Sequence, residues 1–406
     1  MTRPLSPTLA RVVRGHLCSG CGLCASLSQG AVTMVVDPRG YNRPSQNRPL
    51  DQKTEDAIAA TCPGAVVAAW PQAPNADPLW GPWRRVMTGH ATDSSLRHHA
   101  SSGGALSALV IQALRSGLVD RAIHIAADPA SPTGAIATCS TTEAEVWQGA
   151  GSRYTASSPL AAIDQALDDG GAFAIVGKPC DISALRRLAM IDPRVDRHAR
   201  LMLSFFCAGI PGRLGVDEIL SGMGVEREEL AAFRYRGDGW PGSAVATLRD
   251  GRAVSMGYEE SWGRHLSRDI QFRCKICPDA VGGVADIACA DAWYGDARGY
   301  PSFEERDGRS LIIARTPAGD QLLDAAIAAG AVEVSPLDVA EIGRMQPSQV
   351  FRKQLIRARV AALAVTFQPR PQMQGTQVQE AARTASVADT LRNFLGSIRR
   401  IVLGLR

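Results

Sequence analysis

The chain has 406 residues, 45% of them hydrophobic and 21% charged, a composition that packs into cores and excludes charge-driven disorder. At roughly 100 to 200 residues per domain this length implies two or three domains. The formal net charge of +4, with no basic cluster interleaved with aromatics, excludes nucleic acid as an expected partner. No apolar run approaches the roughly 20 residues of a membrane span, and Met1-Thr-Arg-Pro-Leu-Ser-Pro lacks a signal-peptide core, so a cytoplasmic protein is expected. Ten cysteines then point to metal or redox use, because the cytosol keeps thiols reduced.

The first such pattern opens the chain. Cys18, Cys21 and Cys24 form C-x2-C-x2-C, and Cys62 is followed by Pro63. A loop with a thiolate every third residue can wrap three corners of an iron-sulfur cube, and a Cys-Pro can close the fourth. A structural zinc site is the alternative, although such sites are usually built from two C-x2-C pairs. Residues 1–76 are expected to form this ferredoxin-like 4Fe-4S module. A connector rich in proline (Pro71, Pro74, Pro78, Pro82) follows it.

Ser101-Ser102-Gly103-Gly104 precedes an apolar helical pattern (Leu106, Leu109, Val110, Leu114) that ends near Gly117. Amides at such a helix start can hold a dinucleotide pyrophosphate, but an ordinary cap looks the same. Gly151-Ser152-Arg153-Tyr154 and Gly177-Lys178-Pro179 follow; Arg153 and Lys178 could neutralise phosphate or pair with a flavin edge, and each string could equally be a surface loop.

Residues 121–127, 172–177 and 201–206 are apolar runs of strand length, with helical patterns from Ser158 to Asp169 and from Asp181 to Met190 between them. This alternation predicts an α/β body with a partly parallel sheet, α+β overall once the small module is included. Cys180 and Cys207 lie just past the carboxyl ends of two runs, where ligands of such sheets gather. Cys274 and Cys277 could complete four ligands. A zinc-binding C-x2-C with two unrelated core cysteines is weighed evenly against this. Cys139 and Cys289 are expected to be buried core thiols.

The strings Ser-Ser-Gly-Gly, Gly-Ser-Arg-Tyr, Gly-Lys-Pro-Cys-Asp-Ile, Phe-Arg-Tyr-Arg-Gly-Asp-Gly-Trp-Pro-Gly (233–242) and Arg-Cys-Lys-Ile-Cys-Pro-Asp, in this order, resemble the coenzyme F420 hydrogenase/dehydrogenase beta-subunit family, which includes chlorophyll-pathway reductases. The similarity covers roughly residues 10–345. It implies an FAD and iron-sulfur oxidoreductase with two 4Fe-4S clusters. Such a protein passes electrons between ferredoxin or a deazaflavin carrier, coenzyme F420 among them, and a small-molecule substrate. The alternative is an electron-transfer subunit whose substrate chemistry lies in a partner. On this resemblance Ser101, Ser102, Gly103, Gly104, Ser152, Arg153, Tyr154 and Lys178 are flavin-site candidates, and Cys180, Cys207, Cys274 and Cys277 the core cluster ligands. Where the family commonly has Gly-Asp after Ala-Asp-Ile, this chain has Cys289-Ala290-Asp291-Ala292-Trp293, and Asp291 joins the flavin candidates. No catalytic acid is assigned.

The body is divided at 84–160, the amino-terminal part of the flavin-binding region, and 161–345, with the second cluster and the flavin and substrate part. Residues 346–406 are expected to be a helical and flexible tail, with Gln368 to Ala388 the flexible stretch. Val387, Leu391, Phe394, Leu395, Ile398 and Val402 then recur at helical spacing. A membrane surface could take this face, but docking on its own protein or a sister subunit is favoured, and a homo-oligomer is expected.

Overall fold

The computed structural model describes residues 6–295 and 300–405. The chain begins with α1 (Pro7–Arg14), the cysteine loop, α2 (Leu23–Leu27), a hairpin of β1 (Val32–Val36) and β2 (Asn42–Gln46), and α3 (Gln52–Thr61). Ser6 and Asp51 cap α1 and α3 with their side-chain oxygens, which satisfies amides that a helix start leaves open. The proline-rich connector is more than a spacer, because β3 (Asn75–Asp77) and β4 (Gly81–Trp83) pair within it.

The body follows as β5 (Arg85–Ala91), α4 (Ser94–His99), α5 (Ala105–Arg115), β6 (Arg121–Asp128), β7 (Ser131–Ser140), α6 (Glu143–Gln148), α7 (Ile163–Asp168), β8 (Phe173–Gly177), α8 (Pro179–Ala189), α9 (Pro193–His198) and β9 (Ala199–Phe205). After α10 (Arg213–Met223), a three-stranded antiparallel sheet of β10 (Leu230–Arg234), β11 (Ser243–Leu248) and β12 (Ala253–Gly257) stands apart from the main one. A π-helical stretch, Glu259–Leu266, then leads to α11 (Phe272–Lys275). The last strands, β13 (Ile287–Asp291), β14 (Ser310–Ala314) and β15 (Val332–Pro336), enclose α12 (Pro317–Ala328) in sequence.

Among the described residues the main sheet has eight strands in the order β15-β5-β14-β13-β9-β8-β6-β7. Its centre, β13, β9, β8 and β6, is parallel, and the flanking pairs are antiparallel. The expected fold class is therefore the observed one. Side-chain alternation splits each central strand between two cores. Ala174, Leu201 and Leu203 pack with Leu109 of α5 and Leu322 of α12 on one face. Phe173, Ile175 and Met202 pack with Ile182 and Leu185 of α8 on the other. Cys21 and Leu23 join this second core, so the cysteine loop is built into the body.

Three expectations need correction. The helix expected from Ser158 is only Ile163–Asp168, because Ser158 Oγ donates to Gly20 O (2.8 Å) and accepts from Asn42 Nδ2 (2.8 Å), which commits this stretch to the cysteine loop. Cys139 is exposed, because it sits on the edge strand β7. The stretch from Gln368 is docked. Gln372 bridges to Val66, Gly375 O accepts from Trp70 N (3.0 Å), and Thr376 is fully buried. The final helices are α13 (Ile342–Met345), α14 (Pro347–Val365), α15 (Val378–Ala382) and α16 (Val387–Val402). Ile401 of α16 packs on the core of Val12 and Leu17, while Val387, Leu391, Leu395 and Val402 stay exposed. No helix among the described residues is long and apolar enough to cross a membrane.

Candidate functional site

The first cysteine group is local in origin. Cys18 and Cys21 precede α2, Cys24 lies within it, and Cys62 caps the carboxyl end of α3. All four line one small cavity with Leu9, Val12, Leu23 and Ile58. Burial pushes every one of these thiols up, Cys62 to about 11, and neighbouring thiols add to the rise at Cys21, Cys24 and Cys62. A packed set of buried thiolates is unfavourable unless cations compensate it, which is the environment that metal ligation relieves.

The second group is assembled by topology. Strands β8 and β9 are parallel neighbours, with Gly177 opposite Ser204. Cys180, in the first turn of α8, and Cys207, two residues past β9, therefore leave the same sheet edge. Gly209 brings the third element in. Its φ is +121°, and a Cβ there would lie 2.6 Å from Ile270 Cγ2 and 3.3 Å from Cys274 Cβ, so only glycine lets the Cys207 loop pass α11 this closely. Burial raises Cys207 to about 12, with Cys274 and Cys277 adding to it, and burial likewise raises Cys180, which feels Cys207 and Cys277. Cys289 rises to about 12 from burial alone, with no thiol neighbour contributing, which separates it from this quartet. Among the described residues no three His, Cys, Asp or Glu side chains converge tightly enough to hold a single metal ion.

Beside Cys207 opens a cavity of about 280 Å³, close to the lower end of small-molecule sites. Ser101, Ser102, Gly104, Ser152, Arg153, Tyr154, Lys178 and Asp291 line it, so eight of the nine flavin candidates share one cavity wall. Ser101 Oγ accepts from Ser152 N (2.7 Å), which ties two of the sequence strings together. Gly103 stands behind the lining. Its amide donates to Ser310 Oγ (2.9 Å), and a Cβ would lie 2.8 Å from Ser310 N, so it serves the close approach of this turn to β14.

The two cations differ. Lys178 is 4% exposed and its Nζ lies 2.8 Å from Asp181 Oδ2; burial opposes its charge, but Asp181 together with the thiols of Cys180 and Cys207 outweighs that and holds the ammonium charged. Arg153 has a buried Nε with no hydrogen-bond partner, and burial together with nearby Arg234 lowers its pKa. Arg153 nevertheless lines the cavity, so its guanidinium adds positive charge to that wall. Asp291 also lines the cavity, but its carboxylate accepts from Arg236 (2.7 and 2.8 Å) and from Trp240 Nε1 (2.7 Å).

Sequence reasoning missed the aromatic part of the lining. Arg236 lies 4.7 Å from the Tyr258 ring centroid and 5.1 Å from that of Trp293, and Tyr154 packs on Trp262 with centroids 4.6 Å apart. These aromatic side chains line the cavity with the thiol of Cys289. Arg236 and Trp240 lie in the 233–242 string that carries the resemblance, so the signal was present without a role. Tyr258, Trp262 and Trp293 carry no local pattern.

Two family profiles match this chain, both of the beta subunit of coenzyme F420 hydrogenase/dehydrogenase: its amino-terminal part over residues 86–164 and its carboxyl-terminal part over residues 171–340. The chain belongs to this family. It is 26% identical over 303 residues to the coenzyme F420 hydrogenase subunit beta of Methanococcus voltae, covering 71% of this chain and 99% of that one. It is 25% identical over 224 residues to the F420-dependent formate dehydrogenase subunit beta of Methanocaldococcus jannaschii, covering 55% of this chain and 57% of that one. A chain from the F420-reducing nickel-iron hydrogenase complex of Methanosarcina barkeri shares the fold at a TM-score of 0.56 and 19% identity, over 74% of this chain and 99% of that one. The matched profile segments start beyond the first cysteine group, which lies in residues 18–62.

Proposed function

We propose that the chain is an electron-transferring oxidoreductase component that holds FAD in the cavity and a 4Fe-4S cluster at each cysteine quartet, and that it exchanges electrons between a one-electron carrier and an organic hydride acceptor. The observation that carries this reading is Cys207, which belongs to the second quartet and also lines the cavity with Ser101, Ser102 and Arg153. The donor sets fit the groups. Cysteine thiolates are the usual ligands of iron-sulfur clusters, and a cube with one iron per thiolate spreads its ligands more widely than a single zinc ion does. Arg153 offers an unsatisfied donor to an anionic cofactor. A flavin, when bound, supplies the exchange between one-electron and hydride chemistry.

The chain's own residues do the rest. Ser101, Ser102 and Arg153 orient the ligand, and the charged Lys178 contributes a positive wall whose field is partly cancelled by Asp181. Tyr258, Trp262 and Trp293 make part of the lining apolar, which excludes water, and the Arg236–Asp291 pair braces it. The relatives named above are beta subunits, so the substrate chemistry of this chain is proposed to be shared with a partner protein. A deazaflavin of the coenzyme F420 class is the proposed hydride carrier and a ferredoxin the proposed one-electron carrier; self-association and a cytoplasmic setting remain expectations of the sequence.

Anaerobic purification followed by absorption spectroscopy tests this. A flavin band together with broad iron-sulfur absorption is expected, and a colourless protein that contains zinc would refute it. Turnover by the purified chain alone would show that no partner is needed.

A further inference from the structure

The two quartets meet. Arg273 is bonded to Cys274 in the chain, and its Nε and one terminal nitrogen donate to Pro63 O (3.3 and 2.9 Å), the carbonyl of the residue after Cys62. Its side chain therefore runs from the second quartet to the first. It is 2% exposed, and among the described residues no carboxylate pairs with it. A second bridge lies beside it. Arg43 donates to Cys18 O (3.3 Å) and to Gln271 Oε1 (3.2 Å), and Gln271 Nε2 donates to Cys274 Sγ (3.5 Å). Gln271 is also 2% exposed.

We infer that Arg273 is a positioning residue for electron exchange, a fixed cation shared by the two cluster sites that holds their reduction potentials in step. This inference rests on the functional reading above. Reduction of a buried cluster adds one negative charge without a compensating proton, and a guanidinium, which stays protonated, favours the reduced form on either side of it. Were both clusters bound, an exchange would move one electron from one to the other, with no bond formed or broken and no proton moved, and Arg273 would remain fixed between them. A carrier of the ferredoxin class supplies the electron from outside, and the bound flavin accepts it. Placed between the two sites, one cation would raise both potentials together and so would not favour one site over the other. Gln271, bonded to a ligand sulfur on one side and through Arg43 to Cys18 on the other, gives the exchange a short polar connection.

The test is a redox titration of the anaerobic protein followed by electron paramagnetic resonance. In Arg273→Gln both midpoint potentials should fall, each one-electron equilibrium moving about tenfold toward the oxidised form, or about 59 mV. Arg273→Lys should restore both. A shift confined to one cluster, or a lysine variant that falls as far as the glutamine variant, overturns the inference. If the glutamine variant loses a cluster, the wild-type protein decides: fully reduced, it should show spin-spin broadening between the clusters, and two independent spectra would contradict the shared site. Wild-type protein with iron at one quartet or none contradicts the functional reading itself.

Discussion

The two cysteine quartets are assembled by opposite routes. The first draws its thiols from one short loop and the end of one helix, all within residues 18–62, and local turns set its geometry. The second takes one thiol each from just past β8 and β9 and two from α11 and the turn that follows it, so its geometry depends on parallel pairing and on a glycine that lets two loops pass. A local site can be lost without disturbing the sheet. A site made by topology shares its supports with whatever else the sheet edge holds, and here that edge holds the cavity.

This difference can be broken by mutation. Cys21→Ser should remove about half the iron and leave the flavin content unchanged, because the cavity does not include that loop. Cys207→Ala should remove the other half and also shift the flavin spectrum, because that side chain lines both sites. Iron and flavin analysis of both variants checks the pair, and identical effects would erase the distinction.

The next effect is smaller and concerns folding. Leu185 is fully buried in the core that joins α8 to the sheet and to Cys21, so Leu185→Ala should cost about 2–5 kcal/mol. Denaturant unfolding of the apoprotein measures this. A loss under about 1 kcal/mol would mean that this core does not carry the docking of the cysteine loop.

Arg153→Ala sharpens the comparison from the cavity side. Removing a charged hydrogen-bond donor costs about 1.5–3 kcal/mol, so flavin affinity should fall roughly tenfold to a hundredfold while both clusters stay. Fluorescence titration of the apoprotein with FAD reads it, and unchanged affinity would show that the orphaned Nε faces no ligand. The smallest effect is at Thr142, whose side chain forms a capping box with Glu145 at the start of α6. Thr142→Ala should lower stability by about 1 kcal/mol, seen as a reduced thermal midpoint with cofactor content unchanged.

What could be read from the sequence follows the same division. The triple cysteine loop is a contiguous pattern, and the placement of Cys180 and Cys207 followed from strand-length runs whose ends gather ligands. The cavity's polar wall was also within reach, because serine, glycine and arginine strings mark turns. The aromatic wall was not. Tyr258 and Trp262 come from the segment around the π-helical stretch and Trp293 from just past β13, and nothing local links them. Asp291 shows the limit for a single residue: sequence placed it with the cofactor candidates, and it does line the cavity, but its pairing with Arg236 and Trp240 could not be read locally. The docked stretch from Gln368 was illegible for the same reason, since its order comes from Val66 and Trp70, about 300 residues away in the chain.

The central claim is that the second quartet and the cavity form one site, next to a first quartet whose thiols come from a separate, local stretch of chain. The most direct measurement is the iron, sulfide and flavin content of wild-type protein purified without oxygen, read beside that of Cys207→Ala. The account predicts about eight irons and one flavin per chain in the wild type, two 4Fe-4S clusters in all, and in the variant about half the iron with a perturbed flavin. A variant that keeps full iron and an unchanged flavin spectrum would contradict it.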